Sequence, residues 1–192
     1  MNKNLRISET VRFGDNFHYE FNVIIQENVI IGKNVKIGNN VIIYPDTSIG
    51  DNTVIMDNCV IGRLPRFGVN SSRKPDKLDG LRIGNNVTIG TAVIIYRGSI
   101  IGDSCYIADM AHILENCDLG NDVVIGKCTS LQFKVKIGDD SRIMNSTQVT
   151  ELTEIGKGVF IGPDVSFSSD PSFARKQNDT RKTIIEDFAM IG

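Results

Sequence analysis

Apolar and polar positions recur in blocks of six along nearly the whole chain. From Leu5 the blocks read LRISET, VRFGDN, FHYEFN, VIIQEN, VIIGKN and VKIGNN, and the phase holds to CVIG at 59–62. The pattern resumes at Leu81 (LRIGNN), runs to VSFSSD at 165–170, and restarts at Thr183 (TIIEDF, AMIG). Of 27 third positions, 21 are Ile, two Leu, one Val, two Phe and one Tyr, whereas first positions are mostly Val, Thr, Ser, Cys or Ala. A helical pattern of period 3.6 would drift out of this register. Positions one and three share a side and position two faces the other way, which is the alternation of a strand. Positions four to six are rich in Gly, Asn and Asp, residues that tolerate left-handed turn geometry. Each block therefore predicts a short strand followed by a corner.

The glycines set how the strands stack. Gly14, Gly32 and Gly50 are 18 residues apart, as are Gly84, Gly102, Gly120, Gly138 and Gly156. Eighteen residues make three blocks, so one coil is a triangle with three strands and three corners. The expected fold is all-β: a parallel β-helix of roughly eight to nine coils over residues 1–192, in one domain, around a mostly Ile column. Counting the strict-glycine corner as the first, outward positions before the third corner run Ile24, Ile42, Val60, Ile94, His112, Ser130, Gln148, Ser166. The apolar half of that ladder predicts a partner surface or a cover from the loops.

Two insertions interrupt the phase, residues 65–80 and 171–182, and both leave the third corner. The first carries Arg66, Arg73, Lys74 and Lys77 against Asp76 and Asp79; the second carries Arg175, Lys176, Arg181 and Lys182 against Asp179. Two basic loops on one edge predict a margin that binds phosphate. Over the 192 residues Lys and Arg number 21, Asp and Glu 23, giving a net charge of −2, which argues against a nucleic-acid binder driven by bulk charge. Apolar content of 41% excludes a disordered chain. No run approaches the roughly 18 apolar residues of a membrane span, and the first residues lack the apolar stretch of a secretion signal, so a cytoplasmic protein is expected. Four Cys form no C-x-x-C pair and predict no disulfide framework; Cys59, Cys105 and Cys117 fall on the inward first position.

The I-G-x-x-V-x repeat resembles that of the hexapeptide-repeat acyltransferases. That resemblance implies a left-handed β-helix, a homotrimer with active sites between neighbouring prisms, and acetyl-CoA as acyl donor, with no metal. Left-handedness comes from the resemblance alone, because crossover connections between parallel strands generally favour the right hand. Locally, IMNSTQVTE at 143–151, VFIGP at 159–163 and FSSD at 167–170 are similar to the nucleotide-sugar amine N-acetyltransferases, with Ser146, Thr150 and Ser169 departing from their pattern. This second resemblance implies that Asn145 positions the acceptor, Asp170 orients the loop or the amine, and Glu151 lies in the binding site.

His112 projects outward beside the polar half of the ladder, where it could serve as general base; His18, in an atypical early block, is expected to be structural or exposed. Arg175, Lys176 and Arg181 are the expected phosphate-binding cations, and exposed N–H groups of turn residues such as Gly138 and Gly156 are candidate oxyanion donors. The expected reaction moves an acetyl or other acyl group to an amine or hydroxyl of a sugar, free or nucleotide-linked. A γ-type carbonic anhydrase needs three His from two chains around zinc, which two His in the wrong relationship do not supply. A non-catalytic scaffold pairing with other hexapeptide chains is the alternative; a nucleotidyltransferase is excluded because no room is left for its α/β domain. The last coil, stopping after Ile191 and Gly192, is unfinished, as expected either of a fragment or of a coil completed by something else, and the 192 residues alone are expected to bind coenzyme poorly.

Overall fold

A computed structural model of the chain describes residues 4–71, 73, 77–168 and 182–192. The described residues form a parallel β-solenoid whose strands are mostly two residues long, one per block. They stack into three sheets. The first face runs from Arg12–Phe13 to Ile184–Ile185, the second from His18–Tyr19 to Met190–Ile191, and the third from Arg6–Ile7 to Gln148–Val149. Ile83 pairs with Ile101 and Ile101 with Leu119, so every third block lies directly above its predecessor. The insertion at 65–80 leaves this register intact, since Ile49 pairs with Ile83 across it. VSFSSD adds only an isolated bridge, Gln148 to Ser166. No described segment is a helix able to cross a membrane.

Third-position side chains fill the prism; Ile25, Ile61, Ile89, Ile107 and Ile125 are at most 1% exposed. First positions are buried as well, and their polar members have a shared role. Ser99 donates to the Leu114 carbonyl (2.9 Å), Thr129 to that of Met144 (2.8 Å), and Ser141 to that of Gly156 (2.8 Å). In this way a small inward hydroxyl satisfies a corner carbonyl one coil on. Cys59, Cys105 and Cys117 do the same through Sγ, reaching Gly90, Gly120 and Gln132 carbonyls at 3.0, 3.1 and 3.0 Å. Burial pushes the thiols of Cys59 and Cys105 up to about 11 and that of Cys117 up to about 12. They are packing residues.

The corners correct one expectation. Left-handed backbone falls at the sixth position, from Asn40 (φ 55°) to Leu152 (φ 61°), and at Gly98 and Gly158 where glycine stands there. Of the fourth-position glycines, Gly62 alone, at the exit of the first insertion, has such a φ (80°). The others are needed because the next coil is too close: a Cβ on Gly120 would lie 2.3 Å from Asp139 Oδ1 and 2.8 Å from its N. In the early coils the sixth positions also form asparagine ladders, with Asn16, Asn34 and Asn52 each donating to the next residue of the series, ending at Asn86.

Candidate active site

The third face has the expected outward ladder. Ile24, Ile42, Val60 and Ile94 pair in order and are half-buried; His112, Ser130 and Gln148 continue the stack. His112 is exposed at the point where the ladder changes from apolar to polar. His18, by contrast, lies on the second face near the start of the solenoid, exposed, with Nε2 2.9 Å from Glu20 Oε1.

Unlike the other two corners, the third carries no Asn or Asp at its fifth position. It carries Glu27, Pro45, Arg97, Glu115, Phe133 and Glu151, and the first insertion touches Arg97, Glu115 and Phe133 among these residues. The strand Val60–Arg63 lengthens, shifts register between Ile61 and Arg63, and releases the chain. The returning end is fixed by Arg97, whose Nε donates to the Leu78 carbonyl (3.1 Å) and Nη1 to that of Pro45 (3.3 Å). Nη2 of Arg97 is paired with Asp46. That guanidinium, and next the amide of Asn28, hold the Asp46 carboxyl below its ordinary 3.8. Gly80 passes so close to Asp46 that a Cβ would meet its carbonyl oxygen at 1.8 Å.

Further along the same edge, Arg73 of the insertion is paired with Glu115. Its guanidinium carbon lies 3.9 Å from the ring centre of Phe133 and 4.7 Å from that of Phe67. Glu115 and Phe133 are the fifth positions of successive coils, so Arg73 meets the corner two and three coils beyond the one its insertion leaves. Glu115 belongs to the same block as His112.

Asn145 sits at the second corner and Glu151 at the third, on either side of the strand Gln148–Val149. Asn145 Oδ1 accepts the Lys127 N–H (2.9 Å), the bond its counterparts Asp109 and Asp139 make to Thr91 and Asn121. The N–H groups of Gly138 and Gly156 donate to the Ile155 and Ile185 carbonyls (2.8 Å each), so neither is free to receive an oxyanion. Asp170, Arg175, Lys176 and Arg181 lie outside the described residues. Lys182 lies 2.6 Å from Glu154, with Lys136 at 3.4 Å on the same carboxylate. Hydrogen bonding from Lys182, and then from Lys136, holds the Glu154 carboxyl low. No three His, Cys, Asp or Glu side chains converge as metal ligands among the described residues.

The model of the bacterial transferase hexapeptide family, six repeats, matches residues 28–63. That match lies inside the six-residue repeat that runs through the chain. No curated protein sequence matches the chain. Among solved structures, a UDP-N-acetylglucosamine acyltransferase from Campylobacter jejuni is 27% identical with a TM-score of 0.79, over 87% of this chain and 66% of that one. The corresponding enzyme from Bacteroides fragilis is 25% identical with a TM-score of 0.80, over 88% of this chain and 68% of that one. That of Francisella novicida shares the fold at 23% identity, TM-score 0.79, over 86% of this chain and 62% of that one. The hexapeptide-repeat chain thus spans about two thirds, or a little less, of the structures it resembles. The likeness over that length supports the left-handed β-helix that the resemblance implied.

Reading the hexapeptide sequence alone leaves Glu115 and Phe133 unnoticed, although Arg73 is visible as one charge of a basic loop. The available signal is the third corner's fifth position, where a large charged or aromatic residue replaces the Asn or Asp expected from the repeat.

Proposed function

We propose that this protein is an acyltransferase that moves an acyl group from a thioester to an amine or hydroxyl of a sugar, with a nucleotide-linked sugar as the acceptor class. The observation that carries this is the third edge. There a polar ladder headed by the exposed His112 adjoins the corner from which the first basic insertion leaves, and from which the repeat pattern sends the second. The likeness to UDP-N-acetylglucosamine acyltransferases at 25–27% identity supports it. Acetyl-CoA is the donor we favour, in the cytoplasm, with the reacting groups in the cleft between copies of a homotrimer.

In this reading the acceptor's lone pair attacks the thioester carbonyl carbon, the new N–C or O–C bond forms, and the C–S bond breaks. The acceptor's proton passes through His112 to the departing thiolate, leaving the imidazole neutral again. Asn145 orients the acceptor, its oxygen held by Lys127 N–H. Glu151 and Asp170 flank it, and Arg175, Lys176 and Arg181 meet the phosphates. No metal enters the reaction.

The test is thiol release from acetyl-CoA against a panel of sugar nucleotides bearing free amines or hydroxyls, with His112→Ala alongside. Turnover by the wild type that falls about a hundredfold or more in the variant is expected for a lost general base. A wild type inactive on every acceptor and donor overturns the proposal and favours the scaffold.

A further inference from the structure

Glu115 is the one carboxylate that is almost fully buried among the described residues, 5% exposed, and its Oε2 has no hydrogen-bond partner there. The other oxygen pairs with Arg73, whose guanidinium also lies over the rings of Phe67 and Phe133. Burying a carboxylate with one oxygen unpaired is destabilising, and a buried ion pair generally contributes less than apolar side chains of the same volume. Packing alone therefore does not account for this cluster. Its effect is geometric. The insertion leaves the coil of Val60–Arg63, and the cluster ties it to the corner two and three coils further on, about 10 and 14 Å at the spacing of parallel strands. The nearer of those coils carries His112.

We propose that the Arg73–Glu115 clasp is a positioning device for the acyl-transfer site. It holds the first insertion against the His112 coil, so that its exposed cations Arg66 and Lys77 face the anionic part of the acceptor. This rests on the acyl-transfer reading above. Arg73 and Glu115 act through the loop; they take no part in the bond changes.

Arg73→Met combined with Glu115→Leu removes both charges at once, so neither is left buried alone, and Glu115→Gln is a milder second variant. Three measurements decide: thermal midpoint, amide exchange over residues 65–80, and steady-state kinetics with the best acceptor of the wild type. The paired variant should melt within about 2 °C of the wild type. Its loop should exchange faster, and its KM for the acceptor should rise about tenfold while kcat stays within about threefold. Glu115→Gln should raise KM in the same direction, and it decides the matter if the paired variant does not fold. An active wild type whose variants keep its KM overturns the proposal alone, whether or not the midpoint falls. A wild type that neither turns over nor binds sugar nucleotides in calorimetry overturns the acyl-transfer reading, and this proposal with it.

Discussion

A Cβ on Gly84 would lie 2.3 Å from Oδ1 of Asp103 and 2.8 Å from its amide nitrogen. The same Oδ1 accepts the Asn85 N–H at 2.7 Å. This pairing recurs: Gly32 with Asp51, Gly38 with Asp57, Gly90 with Asp109, and Gly126 with Asn145, the acid or amide each time capping the N–H just after the glycine. Where the fourth position is Met56, Ala108 or Met144, the facing residue one coil on is Thr91, Lys127 or Pro163, which cannot make that cap. Asn39 makes the cap opposite Glu20, and Gly14 and Gly138 face Lys33 and Lys157, so the cap accompanies the glycine at most of these corners without being fixed to it, and the glycine's own demand is steric. Gly84→Ala should destabilise by about 2 kcal/mol through overlap, and Asp103→Ala by about 1 kcal/mol through the lost hydrogen bond. The double variant should lose less than the sum by about 0.5 kcal/mol or more. Urea unfolding of the three variants measures this, and strict additivity would refute the pairing.

Between elements, Asp46 and Arg97 join the coil before the first insertion to the coil after it, and Arg97 also holds Leu78 of the returning chain. Because Arg97 and then Asn28 lower the folded-state pKa of Asp46, the pair's contribution is complete above the unfolded value of 3.8. It is lost as pH falls through the lower folded value. Amide protection around Leu78 should therefore drop below pH 3.8, and Asp46→Asn should remove that pH dependence; a variant with the wild-type profile would exclude Asp46 as its source. The Asp46 side chain is 44% exposed, so added salt should weaken the same protection. The strands, their stacking and the exit of the first insertion are legible in sequence, because alternation and period are imposed locally by the backbone; the exit of the second lies outside the described residues. Neither Arg97–Asp46 nor Arg73–Glu115 is legible: the partners are 51 and 42 residues apart, and an irregular loop has no period to project across such a gap. The concentration of left-handed φ at the sixth position, with Gly62 at the exit of the first insertion the exception, was hidden too, since Gly, Asn and Asp crowd positions four to six for different reasons.

For the molecule as a whole, the solenoid should fold without its first insertion. Each coil stacks only on its neighbours, as expected of a repeat protein whose stability is nearly a sum over adjacent units. Residues 59–64 already make a complete block, CVIGRL, and Leu81 opens the next, so deleting residues 65–80 restores the 18-residue spacing between Ile43, Ile61 and Ile95 blocks and their successors. The sixth position of the rejoined block would be Leu64, where the repeat wants left-handed backbone; Leu64→Asn supplies the residue that favours it. The deletion forfeits the buried side chain of Leu78 and its bond to Arg97, and leaves the corner of Asp46 facing a regular coil. Shortening the connection recovers some loop-closure entropy, on the order of 1–2 kcal/mol, which offsets part of that loss. The deletion variant should therefore unfold cooperatively, within about 2 kcal/mol of the wild type by urea titration. The same protein should have lost affinity for sugar nucleotides, because its basic loop and the clasp beside His112 are gone. Loss of cooperative unfolding would make the insertion part of the core, and unchanged affinity would move the acceptor site away from the third edge.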